Sequence, residues 1–276
     1  MFTNIRLLLE ACNSLNLDYE IVHPNENVIQ VNLDKPYLFV NGFTPILTGA
    51  ILKVVKDKDY TYHLLKDRVL MPKTVAYVDP YVSTYENYAI HKSIPEIVAA
   101  IEETFSLPVI VKKNTGSGGE NVFLCDKKAQ IEESLQTIFN LHDKDYDYMA
   151  LAQEVIEIER EYRAIFLNKS LVLLYEKNIQ NATFTGNLSP LHWDGAQAIH
   201  VTDEDTINKL EEFIQPIFER LPIDYGGFDI AVDQSGALWL IEINSNPNYK
   251  IFIRDNPEKL AVEVFEKLLK SLMKSH

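Results

Sequence analysis

The sequence predicts a mixed α/β fold, and three observations support this prediction. Apolar residues recur at helical spacing in several segments, which predicts amphipathic helices. Short runs rich in β-branched and aromatic residues lie between these segments, as expected of strands. The chain has 276 residues, of which 46% are hydrophobic, so it can bury one large core or two small ones.

The N-terminal segment predicts a small α/β unit. Residues 3–17 have the spacing of an amphipathic helix, for which Thr3 or Asn4 is the expected N-cap. Three short strands are expected after this helix, at Tyr19–Val22, Val28–Val31 and Tyr37–Val40.

The middle of the chain alternates between the helical and the extended pattern. The expected elements are a helix from about Asp57 to Lys66, a strand at Thr74–Val78, a helix at Ile94–Thr104 entered through Pro95, a strand-loop-strand unit at Leu107–Asp126 and a helix at Lys128–Phe139. The loop of the strand-loop-strand unit is rich in glycine, and an acidic loop follows at His142–Asp147.

The C-terminal half predicts longer strands. The expected elements are strands at Met149–Val155, Tyr162–Phe166 and Leu171–Glu176, a helix at Asp203–Arg220, a hairpin of Phe228–Val232 with Ala237–Asn244, and a closing helix at Pro257–Lys274. A loop rich in Asn, Thr and Gly is expected from Asn178 to Asp194.

The composition excludes several classes of partner. Lys and Arg total 26 and Asp and Glu total 40, which gives a formal net charge of -14. A surface of this charge repels phosphate backbones and anionic lipids, so we expect neither nucleic acid nor membrane as a partner. Cys12 and Cys125 lie far apart and predict neither a zinc site nor a disulfide framework. No segment has the pattern of a signal peptide or a membrane span, so we expect a soluble, cytoplasmic protein.

The final hairpin carries polar side chains inside an apolar strand. Glu242 and Asn244 are two residues apart, so they project from the same face of the strand. If residues 234–237 form the turn, Asp229 lies directly opposite Glu242. Oxygen ligands at this spacing suit Mg²⁺, which completes its shell with water and substrate phosphates. The alternative is that these groups bond to loop backbone at the strand ends.

A glycine-rich stretch at 112–119, "KKNTGSGG", follows a buried strand. Its backbone N–H groups are able to cradle phosphate. The spacing matches neither the P-loop nor the dinucleotide-binding fingerprint, and the stretch joins two strands rather than opening a helix. A flexible hairpin turn is the alternative interpretation.

Cationic residues occur within otherwise apolar strand patterns. Lys112 and Lys177 are two examples, and Arg163 follows Glu161 by two residues. Burying a lysine costs desolvation energy unless an anion is nearby, so these residues indicate a site for a polyphosphate. The alternative is that Arg163 and Lys177 lie on edge strands and extend their charged ends into solvent.

Taken in this order, the groups resemble the ATP-grasp superfamily, and within it ligases akin to cyanophycin synthetase, the ATP-grasp half of bifunctional glutathione synthetase and the ribosomal-protein glutamate ligases. The resemblance covers about residues 57–248, and its most specific part is the hairpin "GGFDIAVDQSGALWLIEINSNPN". It implies two α+β subdomains that hold ATP between them. The implied division is a reduced N-terminal unit at 1–56, an N-terminal ATP-grasp subdomain at 57–150 and a C-terminal subdomain at 151–276.

The resemblance also implies a role for each residue that matches a family motif. The implied metal ligands, for two Mg²⁺ ions or for Mn²⁺, are Asp229, Glu242 and Asn244. The implied nucleotide-binding residues are Lys58 and Lys112 at the phosphates, Gly116, Ser117, Gly118 and Gly119 in the loop that closes over them, Gln153, Glu154, Val155 and Ile156 at adenine, and Glu161 at the ribose. The implied catalytic residues are Arg163, Lys177 and Asn187.

The implied reaction transfers the γ-phosphoryl group of ATP to a carboxylate. An amine then attacks the acyl phosphate, which gives an amide, ADP and phosphate. The expected substrates are a small-molecule or peptide carboxylate and an amine, with an amino acid or peptide favoured, and a homodimer is usual among the resembling enzymes. Two alternatives stay open, namely a phosphotransferase of the same superfamily that acts on a hydroxyl and a non-catalytic ATP-binding module.

Overall fold

The computed structural model describes residues 1–82, 84, 87–116 and 118–274. The helices of this part are α1 (Thr3–Ser14), α2 (Gly49–Lys56), α3 (Lys58–Leu65), α4 (Ile94–Thr104), α5 (Lys128–Ile138), α6 (Glu204–Ile214), α7 (Lys250–Asp255) and α8 (Lys259–Lys274). The strands are β1 (Asp18–Ile21), β2 (Val28–Asn32), β3 (Pro36–Val40), β4 (Thr74–Val78), β5 (Val109–Lys113), β6 (Val122–Cys125), β7 (Met149–Glu154), β8 (Ile158–Leu167), β9 (Ser170–Asn178), β10 (Gln197–His200), β11 (Tyr225–Asp233) and β12 (Leu238–Asn244). Two 3-10 helices lie at Pro190–His192 and Gln215–Glu219.

The strands form three sheets in which neighbouring strands are antiparallel. The strand orders are β1-β2-β3 in a three-stranded sheet, β4-β7-β5-β6 in a four-stranded sheet and β10-β9-β8-β11-β12 in a five-stranded sheet. Residues 155–157 alone separate β7 of the four-stranded sheet from β8 of the five-stranded sheet. This short connection keeps the two larger sheets together at one end.

The five-stranded sheet separates two apolar cores. Phe166 and Phe228 lie in a core that includes residues of α2, α3 and α6. Ile165 and Tyr225 lie in the opposite core, together with residues of α1, α7, α8 and the three-stranded sheet. Because successive residues of a strand point to opposite faces, each strand contributes to both cores. At one end of the second face, charged residues replace the apolar ones.

The four-stranded sheet packs on two helices. Val111 and Ala152 share an apolar core with Ile97 of α4 and Leu135 of α5. The opposite face of this sheet carries Lys112 and other residues that form one wall of a cavity. Alternation along the strands thus separates a helix-covered face from a ligand-accessible one.

Most expected elements are present, and the three that the sequence analysis missed are short. They are α2, α7 and the edge strand β10, which have 8, 6 and 4 residues. Elements of this length show too few periods for a pattern to be distinguished.

Two expected helices had wrong boundaries. Neither Thr3 nor Asn4 caps α1, because the N-cap position is Phe2, with extended backbone and no side-chain cap. The helix ends at Ser14 rather than at residue 17, and Asn16 has φ 51. The expected helix Asp203–Arg220 changes to a 3-10 helix after Ile214, because a proline at position 216 cannot donate an intrahelical hydrogen bond.

Among the described residues, none of the helices combines the length and the apolar composition that crossing a membrane requires.

A buried tyrosine pair allows a stability prediction. The hydroxyls of Tyr225 and Tyr249 are 2.7 Å apart, and within the described ranges each has the other as its hydrogen-bond partner. Tyr249→Phe should lower the free energy of unfolding by about 1–3 kcal/mol, because it leaves the buried Tyr225 hydroxyl without a partner. The double variant Tyr225→Phe/Tyr249→Phe should recover most of this loss in urea denaturation. If the stability losses of the two single variants simply add in the double variant, the two hydroxyls are not coupled.

Candidate functional site

A cavity of about 870 Å³ lies between the two larger sheets. One wall is the open face of the four-stranded sheet, represented by Ile110 and Lys112 of β5. The other wall is the charged end of the five-stranded sheet, represented by Arg163 of β8 and Asp229 of β11. A volume of this size suits a nucleotide-sized ligand together with a second small molecule.

A row of four cross-strand partners crosses the five-stranded sheet at the cavity. Tyr175 of β9 pairs with Arg163, Arg163 pairs with Asp229, and Asp229 pairs with Glu242 of β12. Direct cross-strand partners share a face, so all four side chains lie on the wall of the cavity. The register expected from the sequence, with Asp229 opposite Glu242, is the register observed.

Two buried cations hold Asp229. Arg163 donates two hydrogen bonds to its carboxylate, one of them 2.8 Å from Nη2 to Oδ2. Lys177 Nζ lies 3.0 Å from Oδ2 and also donates a hydrogen bond to Glu161. Burial alone would raise the pKa of Asp229, but the charges of Arg163 and Lys177 hold this pKa below its ordinary value. The carboxylate therefore stays ionised inside the protein.

The same cluster sets the charges of Lys177 and Glu161. Burial opposes the charged form of Lys177, yet Asp229 and Glu161 raise its pKa above the ordinary value. Burial raises the pKa of Glu161, although Lys177 acts in the opposite direction. Lys177 is thus a permanent cation at the wall of the cavity.

A β-bulge directs Glu242 and Asn244 into the cavity. Asp229 pairs with Glu242 but the next residue, Ile230, pairs with Leu240, so β12 contains one extra residue at Ile241. Strict alternation would place Leu240 and Glu242 on the same face. The bulge instead leaves Leu240 fully buried in a core while Glu242 and Asn244 line the cavity. Asn244 Nδ2 donates to Glu242 Oε1 at 3.0 Å, which orients the carboxylate.

The opposite wall carries a buried lysine with a neutral partner. Lys112 is 6% exposed and donates to Gln153 Oε1 at 2.8 Å, and Gln153 Nε2 donates in turn to Thr74 Oγ1. Burial and, to a smaller extent, the charge of Lys58 lower the pKa of Lys112 to about 8, against the opposing effect of Glu242. Lys58 Nζ, at the start of α3, lies 3.9 Å from Glu242 Oε2. An anion bound at this wall would therefore stabilise the charged form of Lys112.

The glycine-rich loop is tied to both walls. Lys58 Nζ donates to the carbonyl oxygen of Gly116, and Asn187 Nδ2 donates to the carbonyl oxygen of Gly118 at 3.1 Å. Gly119 has φ +74, and a Cβ at this position would lie 2.1 Å from Asn187 Oδ1. A side chain at this position would therefore strain the backbone and displace the Asn187 amide.

Most of the predicted site residues meet at this one cavity. Its lining includes Lys58, Lys112, Gly116, Gly118, Gly119, Gln153, Glu154, Ile156, Glu161, Arg163, Lys177, Asp229, Glu242 and Asn244. Val155 and Asn187 are not part of this lining, although Asn187 contacts the glycine-rich loop. Ser117 lies outside the described residues.

Three of the side chains that are predicted to bind the nucleotide already form hydrogen bonds within the protein. Both ends of the Gln153 amide are hydrogen-bonded, because the buried Lys112 needs an acceptor. The Glu154 carboxylate accepts from the backbone N–H of Lys73 at 2.5 Å. Glu161 accepts from Lys177. Ligand contacts at 153–156 would therefore use mainly backbone groups.

Several residues that line the cavity were not predicted from the sequence. They are, among others, Tyr175, Asn246, Asn248, Lys250 and Arg254. Tyr175 is 2% exposed, and it lies on the wall of the cavity as the cross-strand partner of Arg163. Its position two residues before Lys177 was the available signal, since i and i+2 share a face. Lys250 and Arg254 had no signal because the short helix α7 was not predicted.

The donor set of Asp229, Glu242 and Asn244 fits a hard divalent cation. The described residues contain no group of three or more His, Cys, Asp or Glu side chains able to hold a metal. Two carboxylates and one amide suit Mg²⁺ or Mn²⁺, which keep water and phosphate oxygens in their shells. The orientation of Glu242 by Asn244 is a further feature expected of a ligand side chain.

Comparison with protein families and curated sequences gives matches over most of the chain. The family model of the RimK-like ATP-grasp domain matches residues 69–268. "Uncharacterized protein MG012" of Mycoplasma genitalium is 28% identical over 150 residues, which cover 53% of this chain and 46% of that protein. The chain thus matches about half the length of this relative. Tetrahydromethanopterin:alpha-L-glutamate ligase of Methanocaldococcus jannaschii is 20% identical over 281 residues, covering 95% of this chain and 93% of that protein.

Solved structures share the fold at low sequence identity. D-alanine--D-alanine ligase from Bacillus anthracis superposes with a TM-score of 0.55 at 16% identity, covering 83% of this chain and 68% of that one. A bifunctional glutathione synthetase from Pasteurella multocida gives a TM-score of 0.57 at 13% identity, covering 98% of this chain and 43% of that one. Identities this low indicate a shared fold and nothing finer.

The low pKa of Lys112 predicts a stabilising substitution. Its pKa is about 8 in the folded protein against an ordinary 10.5, so the unfolded chain binds more protons between these values. The free-energy cost of burying the charged Lys112 is therefore fully present below pH 8, and it declines as the pH rises toward 10.5. At pH 7, Lys112→Met should be more stable than the wild type by up to about 3 kcal/mol.

Urea denaturation at two pH values checks this prediction. The advantage of Lys112→Met should fall by about half at pH 9.5, because most of the folded wild type has then lost this proton. Lys113→Met on the same strand is the control, because Lys113 has a carboxylate partner, Asp145, whose Oδ1 lies 3.4 Å from its Nζ. A variant that is less stable than the wild type at pH 7 would contradict the buried, uncompensated charge.

Proposed function

Because the chain belongs to the family of RimK-like ATP-grasp domains, we propose that it is an ATP-dependent ligase that joins a carboxylate to an amine through an acyl phosphate. The observation that carries the proposal is the cavity, in which cations of both sheets surround the Asp229–Glu242 pair. An amino acid or a peptide is the proposed substrate, in keeping with the amino-acid ligases among the similar proteins. The two buried free cysteines suit a cytoplasmic location.

ATP is proposed to lie between the two sheets, within the proposed subdomains 57–150 and 151–276. Lys58 and Lys112 would bind its phosphates, and the glycine-rich loop would cover them. The backbone at Val155 and Ile156 would meet the adenine edge, because the side chains of Gln153 and Glu154 are engaged elsewhere. Glu161 would accept from the ribose hydroxyls with the lone pairs that Lys177 does not use.

Asp229, Glu242 and Asn244 are the proposed metal-holding residues. Bound there, Mg²⁺ would neutralise charge on the phosphate oxygens. Arg163 and Lys177 hold Asp229 ionised, and Asn244 orients Glu242, so the ligand side chains are ready before any ligand enters. Such preorganisation reduces the reorganisation that the reaction requires.

The chemistry needs positioning and charge rather than a protein nucleophile. In the first step a substrate carboxylate oxygen attacks the γ-phosphorus of ATP and the bond to the bridging oxygen of ADP breaks. In the second step the amine nitrogen attacks the acyl carbon, phosphate leaves and the nitrogen loses a proton. The permanent cations Arg163 and Lys177 would stabilise the negative charge that both steps place on phosphate oxygens.

Hydroxylamine trapping tests this proposal. The protein is incubated with ATP, Mg²⁺, hydroxylamine, pooled amino acids and short acidic peptides, and both ADP and hydroxamate are measured. Wild-type protein should form hydroxamate with one carboxylate. Glu242→Gln should lower its rate at least 100-fold, because the proposed metal loses a charged ligand. Glu102→Gln, on the outward-facing helix α4, should keep the wild-type rate.

Three other outcomes would count against parts of this proposal. ADP and a stable phosphorylated product without hydroxamate would favour a phosphotransferase. Neither ADP nor hydroxamate with any substrate, together with measurable ATP binding, would favour a binding module. Wild-type turnover by Glu242→Gln would refute the metal assignment.

The contact between Gly119 and Asn187 predicts an effect on coupling. A methyl group at Gly119 would meet Asn187 Oδ1, so Gly119→Ala should displace the loop from the opposite wall. Water would then reach the acyl phosphate, and the yield of hydroxamate per ADP should fall several-fold, roughly 3- to 10-fold. Gly118→Ala is the matched control, because Gly118 also has positive φ but has open space at its Cβ position.

Comparing Gly118→Ala with Gly119→Ala distinguishes the effect of backbone strain from the effect of the contact with Asn187. Strain at positive φ should affect both variants alike. Equal yields in Gly118→Ala and Gly119→Ala would therefore contradict a role for the Asn187 contact.

A further inference from the structure

A buried asparagine of the N-terminal helix bonds to the loop that follows the proposed metal residues. Asn4 is 8% exposed, and its Nδ2 donates to the carbonyl oxygen of Pro247 at 2.9 Å and to Asn246 Oδ1 at 3.2 Å. Its Oδ1 accepts from the backbone N–H of Tyr249 at 3.4 Å. One side-chain amide thus satisfies three groups of the segment 246–249.

A second part of the N-terminal unit meets the same segment. After β3, the backbone carbonyl of Asn41 accepts from Asn246 Nδ2 at 3.2 Å. Gly42, with φ +85, lies so close that a Cβ would be 3.1 Å from Asn4 Cβ and 3.3 Å from Asn246 Oδ1. Asn246 is therefore held between α1 and the turn that follows β3.

The held segment begins two residues after Asn244 and returns to the cavity. Asn246, Asn248 and Lys250 all line this cavity. At its far end, Tyr249 is buried and its hydroxyl bonds to Tyr225 of β11, the strand that carries Asp229. A shift of the segment would therefore move residues beside the proposed metal ligands.

We propose that Asn4 is a positioning residue, through which the N-terminal unit fixes segment 245–249 and thereby the end of β12 that presents Glu242 and Asn244. The inference rests on the proposed function for its catalytic meaning. The hydrogen bonds themselves are independent of it. It assigns to residues 1–56 a direct part in forming the site.

The position of Asn4 supports this role over a purely local one. Asn4 lies in the first turn of α1, where an asparagine commonly bonds to its own helix. Its side-chain hydrogen bonds go instead to residues more than 240 positions away in sequence. Burying an amide in the core for helix stability alone would be unfavourable relative to an apolar residue.

Mn²⁺ binding tests the proposal without turnover. The Kd of Mn²⁺ is measured by electron paramagnetic resonance in the presence of the non-hydrolysable analogue AMP-PNP. Asn4→Ala should raise this Kd roughly tenfold, as the loss of outer partners of metal ligands does. The Kd of AMP-PNP without metal should not change, because the phosphate-binding residues Lys58 of α3 and Lys112 of β5 belong neither to α1 nor to segment 246–249.

Leu8→Ala is the matched control for lost stability. Leu8 lies one turn later in α1 and is fully buried in the same apolar core. It should lower the unfolding temperature at least as much as Asn4→Ala but keep the wild-type Kd of Mn²⁺. If Leu8→Ala does not fold, Cys12→Ala in the same helix replaces it. Equal Kd changes in Asn4→Ala and the control would overturn the proposal.

Hydrogen exchange separates this inference from the proposed function. In Asn4→Ala, amides of 245–249 should exchange faster while those of β8 and β11 stay protected. Wild-type protein that binds no Mn²⁺ would refute the metal assignment, and exchange would then decide whether Asn4 holds the segment. Unchanged exchange at 245–249 would overturn the inference, whatever the activity of the protein.

Discussion

The carboxylate of Asp229 is the constraint on which the site depends. It is 4% exposed and lies on β11, an interior strand of the five-stranded sheet, where an unpaired negative charge would be very costly. Arg163 and Lys177 come from the next two strands and compensate this charge. Because strand periodicity is two, a slip of one residue between β8 and β11 would move the guanidinium into the opposite apolar core. The ion pairs therefore specify register, which is the best supported use of buried charge.

The same requirement explains the irregularity of β12. Leu240 belongs to the core beneath the sheet, whereas Glu242 and Asn244 belong to the cavity above it. A regular strand cannot place Leu240 and Glu242 on opposite faces, because they are two residues apart. The extra residue Ile241 resolves this conflict. The bulge beside the cavity thus allows β12 to contribute side chains both to the apolar core and to the cavity.

How much of this could be predicted depended on whether the signal was local. The pairing of Asp229 with Glu242 follows from a short turn, and Lys112 and Lys177 interrupt apolar strand patterns, so these residues were visible in the sequence. The bond from Lys112 to Gln153 depends on the pairing of β5 with β7, which no local pattern reveals. It follows that the residues of the site could be predicted from the sequence, whereas their hydrogen-bond partners within the protein could not.

The N-terminal unit illustrates the same limit over a longer distance. Asn4 has the sequence appearance of an N-cap, and this interpretation was wrong because its side chain bonds to residues 246–249. A capping residue and a long-range hydrogen-bonding residue use the same polar groups. Only the packing of α1 against α8 brings the two chain ends together and distinguishes the two roles.

The two walls of the cavity differ in charge compensation, and this difference suggests how a ligand would act. Arg163 and Lys177 are paired with carboxylates of their own sheet, so they are rigid and ready to bind. Lys112 has an amide as its partner, and burial lowers its pKa to about 8. An anionic ligand would therefore gain more from the charge of Lys112, which has no carboxylate hydrogen-bond partner, than from cations that are already paired. Since residues 155–157 are the short connection between the sheets, an anion held by both walls would also fix their separation. Ligand binding and closure of the cavity would then be driven by the same charge.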